Sequence, residues 1–257
     1  MSTTDTSTTK QILEKAAAYR EETARILSEL VQIKSYSGEE RDVCLRVEQM
    51  CRDYGFDEVR IDGLGSVVAR IGSGPKSIAF DAHVDTVEVG DPSQWEKDPF
   101  SGEIADGLVH GRGAADQKGG AAAMLTAGRI LRELGYDGEY TVYFTFTVME
   151  EDCDGMCWKY LIEEENLRPD FIVSTEPSSC RIHRGQRGRM EMVARVSGVS
   201  AHGSAPERGV NAAYKASRAA LALEQLNEDL EPDEDNFLGK GTIVVSQIDA
   251  RGPSQCA

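Results

Sequence analysis

The 257 residues include 44 acidic and 28 basic side chains, a formal charge of −16, and 40% are hydrophobic. That length and apolar content suit one large domain or two modest ones, and the acidic balance excludes a nucleic-acid backbone as partner, because phosphate binding needs clustered Lys and Arg. No apolar run approaches a membrane span and no cationic-then-apolar leader opens the chain, so a cytoplasmic protein is expected.

Residues 1–9 are rich in Ser and Thr and are expected to be disordered. From Lys10 to Ile33, Ile12, Ala16, Tyr19, Ala24, Leu27, Leu30 and Val31 recur at helical spacing. A second helix is expected over "YSGEERDVCLRVEQMCRDYGF", with Ser37 as N-cap and Glu40 completing a capping box. Strands then alternate with helices. "EVRI", "SVVARIG" and "SIAFDAHV" read as strands and "DQKGGAAAMLTAGRILREL" as a helix. "YTVYFTFTVM" reads as a strand buried on both faces, "GMCWKYLIEEENL" as a helix and "FIVSTEP" as a strand. This alternation predicts an α/β fold, a mainly parallel sheet covered by helices, with its site beyond the carboxyl ends of the strands. From residue 188 the texture changes to a smaller α+β unit: a strand "RMEMVARVSG", a long helix "GVNAAYKASRAALALEQLNEDL", a loop "LEPDEDNFLGKG" and a strand "GTIVVSQIDA". Such a fragment has no closing partner, so the chain is expected to be truncated at its C-terminus.

Polar residues collect where the predicted strands end. Asp81, His83 and Asp85 alternate, so they share one face of their strand. Asp116 sits in "HGRGAADQKGG", Glu150 and Glu151 follow the most apolar strand, and Glu176 stands in "STEP". One imidazole with several carboxylates suits zinc or a similar divalent ion, and a single carboxylate can bridge two such ions. Each residue alone has an ordinary reading: a core histidine, a helix N-cap at Asp116, a solvated acid at Glu150 or Glu176. Their joint placement at successive strand ends argues for a site. "GRGAAD" superficially mimics a dinucleotide loop, but Asp116 at the third glycine position would repel pyrophosphate, and Lys118 is followed by Gly119 rather than the Ser or Thr of a phosphate loop. The six cysteines (Cys44, Cys51, Cys153, Cys157, Cys180 and Cys256) form no C-x-x-C pair and read as small buried hydrophobes. A last cluster, "GVSAHGSAPERGVNAA", holds His202, Arg208 and Asn211.

The ordered set "HVD", "GRGAAD-KGG", "EED", "STEP" and "AHGSAPERGVNA" resembles the zinc metallopeptidase family of glutamate carboxypeptidase, acetylornithine deacetylase and succinyl-diaminopimelate desuccinylase. The resemblance runs from about residue 30 to the end; within it, "MEEDCDGMCW" and "GPSQCA" are similar to the branch of selenium metabolism-linked hydrolases. It implies an aminopeptidase-like catalytic domain over 10–187, present as its N-terminal part, and an incomplete lid and dimerisation domain over 188–257. It also implies two divalent ions, zinc with cobalt or manganese as alternatives. His83 and Glu176 would hold the first, Asp116 would bridge, and Glu151 would hold the second. Asp85 would orient His83, and Glu150 would be the general base for hydrolysis of the amide bond of an N-acyl amino acid or short peptide. His202 would cross a homodimer to stabilise the oxyanion, with Asn211 and Arg208 at the substrate. The family's second metal takes a further histidine from near the C-terminus, and none of His83, His110, His183 and His202 matches it. The second site is therefore expected to be incomplete, and a non-catalytic, metal-binding or dimerising relative is the alternative reading.

Overall fold

The computed structural model describes residues 6–179, 181–183, 185–232 and 237–251. It divides into two compact units, Met1–Ile182 and His183–Ala257. Cys180 and Cys256 lie outside the described residues.

The first unit begins with α1 (Thr6–Ala18) and α2 (Arg20–Gln32). Thr6–Thr9, expected to be disordered, continue the first helix, whose small and polar start carries no residue that would stop it. The helix predicted over 10–33 is two helices meeting at Tyr19, where the backbone leaves helical geometry; the Tyr19 hydroxyl lies 2.7 Å from both carboxylate oxygens of Glu133. The next helix, α3 (Arg41–Asp53), does not use the predicted capping box. The Ser37 hydroxyl donates instead to Asp85 (2.7 Å), and Glu40 accepts from the backbone of Gly38 (2.9 Å) and Met149 (3.0 Å).

Strands β1 (Glu58–Ile61), β2 (Val67–Ile71), β3 (Lys76–His83), β6 (Tyr140–Thr147) and β7 (Phe171–Ser174) form one sheet in the order β1-β2-β6-β3-β7. Between β3 and β6 the chain makes a short hairpin, β4 (Ile104–Ala105) with β5 (Leu108–Val109), and then helix α4 (Lys118–Glu133). Helix α5 (Met156–Glu163) links β6 to β7. The sheet is mixed. β3 pairs in parallel with β6 and β7, whereas β1-β2 and β2-β6 are antiparallel. The tight turn between β1 and β2, pinned by three backbone N–H groups on Asp62 Oδ1, permits only the antiparallel return.

Alternation along the strands sorts the two faces. Val67, Ala69, Ile71, Val142, Phe144 and Phe146 pack with Ile26, Leu30, Val47 and Leu125 from the helices into the main core. Val68 points the other way and packs with Leu161 and Leu167, flanked by Tyr143 and Trp158. β7 forms one edge, and its apolar side chains Phe171, Ile172 and Val173 are exposed.

In the second unit, α6 (Ala212–Asp229) forms as expected, capped by Asn211, whose side-chain oxygen accepts the Tyr214 N–H at 3.1 Å. The two runs predicted as strands, 189–198 and 241–250, are irregular. A strand exists through its ladder to a neighbour, and among the described residues this unit holds only the isolated bridge between Val199 and Val210. Met190, Met192, Val193 and Val244 are accordingly exposed. Residues 233–236 of the predicted loop lie outside the described residues.

Candidate metal centre

Three parallel strands, β6, β3 and β7, end on the same edge of the sheet, and each delivers part of the site. β3 closes on His83, β6 runs into Glu150 and Glu151, and β7 runs into Glu176. The loop before α4 adds Asp116. Gly113 lets that loop turn: it has φ +80°, and a Cβ there would meet Thr86 Cγ2 at 2.5 Å. The glycine therefore serves close packing, in keeping with the rejection of a phosphate cradle. Asp116 is not the N-cap of α4; that position is Gln117, and the Asp116–Gln117 peptide is cis. The Asp116 carboxylate lies against His83, with Oδ1 at 3.0 Å from Nε2.

His83 is 1% exposed. Its Nε2 looks out at Asp116 (3.0 Å), Glu150 (3.8 Å) and Glu176 (4.0 Å). Donor atoms of His83, Asp116 and Glu151 lie within 4.8 Å of one another. The other ring nitrogen, Nδ1, is 3.0 Å from the backbone carbonyl of Asp85 and 3.4 Å from that residue's carboxylate. A carbonyl oxygen only accepts, so Nδ1 carries a proton; Nε2, 3.0 Å from the Asp116 carboxylate, donates to it while the ring is protonated and would turn its lone pair to a metal on losing that proton.

The Asp85 carboxylate is fully buried and is spent on the backbone. Its Oδ1 accepts the Glu150 N–H (3.1 Å), and its Oδ2 accepts the Glu151 N–H (3.0 Å) and the Ser37 hydroxyl. Just before these, Met149 adopts φ +60°, a left-handed backbone that costs a non-glycine residue roughly 1–2 kcal/mol. This turn sends Glu150 and Glu151 away from the strand direction and toward His83.

So many carboxylates around one imidazole create a strongly negative pocket. Burial disfavours charge on His83, but the Asp85, Glu150 and Asp116 carboxylates outweigh it and push the imidazole up to about 10. Burial, reinforced by the Asp116 and Glu150 charges, raises Glu176 to about 7. Burial likewise raises Glu150 and Glu151. Asp85 goes the other way: burial opposes its charge, yet hydrogen bonds from His83, Ser37 and the Glu151 backbone hold it below the usual carboxylate range. Acids forced together at this density are relieved by a cation, and one neutral imidazole with several carboxylate oxygens is a donor set for zinc, cobalt or manganese. The residues fit a divalent metal.

Several supporting residues carry no sequence signal of their own. Buried Gln117 accepts from the Thr175 hydroxyl (2.7 Å) and donates to Glu176 Oε1, aiming that carboxylate. Thr175 fits only because Gly120 faces it; a Cβ there would come within 2.1 Å of the Thr175 hydroxyl oxygen. Lys118 is fully buried and donates to the carbonyls of Leu30 (2.9 Å) and Ile33 (2.8 Å). The free thiols of Cys44 and Cys157 are buried and pushed up to about 12, which keeps them protonated and out of metal chemistry.

His202, Arg208 and Asn211 belong to the second unit. His202 is exposed and its Nδ1 is 3.2 Å from the donating backbone N–H of Ser204. Arg208 closes a short 3-10 turn, Pro206–Arg208, and points to solvent beside Glu207. Asn211 is occupied in part as the cap of α6.

Comparison with known proteins identifies the family and the fold. YgeY of Escherichia coli strain K12 is 50% identical over 248 residues, which is 96% of this chain and 61% of YgeY. Succinyl-diaminopimelate desuccinylase 2 of Ruegeria sp. strain TM1040 is 28% identical over 246 residues, covering 90% of this chain and 60% of that enzyme. The chain thus spans about three-fifths of the length of these relatives. Among solved structures, human carnosine dipeptidase 1 matches 65% of this chain and 40% of its own with a TM-score of 0.57 at 24% identity. The metallo-carboxypeptidase Sso-CP2 of Sulfolobus solfataricus matches 60% of this chain and 37% of its own with a TM-score of 0.54 at 22% identity. These two show the shared fold. The signature of Peptidase family M20/M25/M40 matches residues 79–236, which contain every candidate ligand, and the chain belongs to that family.

Proposed function

We propose that the protein is a metal-dependent hydrolase that cleaves the amide C–N bond of an N-acyl amino acid or short peptide. The observation that carries this reading is the convergence of Asp116, Glu150 and Glu176 on Nε2 of one buried histidine whose other nitrogen is tied back to the backbone. His83, Asp116, Glu151 and Glu176 would hold divalent metal, zinc by preference, with Asp116 shared between two ions. Bound metal supplies Lewis acidity at the carbonyl and a water of lowered pKa.

The chain's own residues do the rest. Glu150 stays off the ligand set and holds the proton: it takes one from the attacking water and returns it to the departing amine, so the carboxylate is regenerated. Its raised proton affinity suits that exchange. Asp85 fixes the pair of adjacent acids through their backbone. His202 would donate a hydrogen bond to the oxygen that gains charge, from the partner protomer of a homodimer, with Arg208 and Asn211 beside the substrate. Among the described residues no helix is long and apolar enough to cross a membrane, and the free thiols suit a reducing compartment such as the cytoplasm.

Elemental analysis of the purified chain after zinc exposure and dialysis tests the reading. At least one ion per chain is expected, and Asp116→Ala should remove it. Glu150→Gln should keep the metal while amine release from a panel of N-acyl amino acids and dipeptides falls by about 10²–10⁴-fold. No stoichiometric metal in the parent chain, or turnover that survives Glu150→Gln, would overturn the assignment.

A further inference from the structure

Beyond β6 the chain meets an unusual arrangement. Three consecutive backbone N–H groups, those of Met149, Glu150 and Glu151, are each taken by a carboxylate: Glu40 at 3.0 Å, Asp85 Oδ1 at 3.1 Å and Asp85 Oδ2 at 3.0 Å. Successive N–H groups around a left-handed residue form a concave anion seat. Here two of the protein's own acids fill it, and both are buried, Asp85 at 0% and Glu40 at 6% exposure. Glu40 Oε1 also accepts the Gly38 N–H at 2.9 Å, and the Ser37 hydroxyl donates to Asp85 at 2.7 Å. The segment entering α3 therefore holds this turn directly through Glu40, 109 residues from Met149, and indirectly through Ser37 on Asp85.

We propose that Glu40, assisted by Ser37, is a positioning residue for the Glu150–Glu151 pair. Helix capping does not account for it: Glu40 sits at the N-cap position of α3, and its side chain makes no capping bond. Its carboxylate instead holds the Met149 N–H, which fixes the one left-handed residue that redirects the chain toward His83. Asp85 alone secures Glu150 and Glu151 only while Met149 keeps that conformation. Loss of the Glu40 acceptor releases the turn, and the two acids lose their shared aim. This inference rests on reading Glu150 and Glu151 as carboxylates of the metal centre.

The test compares Glu40→Met, which keeps the volume and deletes the acceptor, with Glu40→Gln, which keeps a neutral acceptor. Two quantities are read on the intact chain: cobalt(II) affinity by absorption titration, and amide exchange of Met149, Glu150 and Glu151 by mass spectrometry. Glu40→Met should exchange these amides at least about tenfold faster and bind cobalt about 10–100-fold more weakly, the usual cost of losing a supporting partner. Glu40→Gln should recover most of both losses. A folded Glu40→Met protein with parental exchange and parental affinity overturns the proposal. If Glu40→Met does not fold, Ser37→Ala decides, because it deletes a single hydroxyl: faster exchange at Glu151 with weaker cobalt binding supports the clamp, and no change in either refutes it. Should the parent chain bind no cobalt, the metal reading fails, and the exchange rates still decide the clamp.

Discussion

Two histidines show how little is needed to set opposite chemistry. His83 donates through Nδ1 to the Asp85 carbonyl, which leaves Nε2, now against the Asp116 carboxylate, as the atom that would bind a metal once its proton is lost. His202 is the reverse. A backbone N–H only donates, so the Ser204 N–H at 3.2 Å makes Nδ1 of His202 the acceptor. The neutral ring then carries its proton on Nε2, the form needed by a group that donates to a developing negative oxygen. Nitrogen NMR of the histidine rings, assigned with a His202→Gln protein at mildly alkaline pH, should find Nδ1 of His202 pyridine-like and Nε2 pyrrole-like. The opposite pattern would remove the basis for a donor role. Sequence spacing puts both histidines among candidate residues but says nothing of tautomers, because these depend on which backbone groups fold back onto the ring.

At the scale of elements, the site depends on α2 and α4 meeting correctly. Lys118 enters the first turn of α4 and reaches the last carbonyls of α2, at Leu30 and Ile33, with no exposure to solvent. Those carbonyls are left over at any helix C-terminus, and a cation there also meets the negative end of the helix dipole. Burial lowers the lysine to about 8, so its charge is held at a cost that the two carbonyls offset. Lys118→Met keeps the volume but removes the donor from both carbonyls, leaving the Leu30 carbonyl with the Ile33 N–H at 3.3 Å, and should lower unfolding stability by roughly 1–3 kcal/mol in a denaturant titration; a loss under about 0.5 kcal/mol would show that water or a shift of α2 replaces the bonds. Elements marked by their own hydrophobic pattern were readable from sequence: the strands before His83, Glu150 and Glu176, and the α4 helix, lie where that pattern places them. The β4–β5 hairpin was not expected, although its Asp106–Gly107 pair is a two-residue turn signal and both residues adopt positive φ. Individual contacts to distant residues were not readable. Ser37 and Glu40 satisfied the pattern of a capping box, yet their side chains bind Asp85 and the Met149 backbone. The runs over 189–198 and 241–250 have the composition of strands but no ladder among the described residues, and composition cannot supply one.

For the whole molecule, charge is the dominant fact. A net −16 opposes compaction everywhere, and at the carboxyl edge of the sheet the repulsion is concentrated: burial and neighbouring acids raise Glu150, Glu151 and Glu176 together. A divalent ion that binds there stabilises the folded state by linkage, and the relief of acids that the fold has forced into contact is part of its binding free energy. Linkage contributes about 2.7 kcal/mol at a metal concentration a hundred times Kd, which for a unit of this size corresponds to a rise in Tm of about 5–10 °C. Salt also stabilises so acidic a chain by screening, so the comparison must be made at matched ionic strength. Zinc or cobalt should raise Tm by that amount over sodium chloride, chelator should reverse the rise, and Asp116→Asn should lose the metal-specific increment while keeping the salt response. Equal shifts with zinc and with matched sodium chloride would mean that the clustered acids respond only to bulk screening, and that the arrangement around His83 does not bind metal as a site.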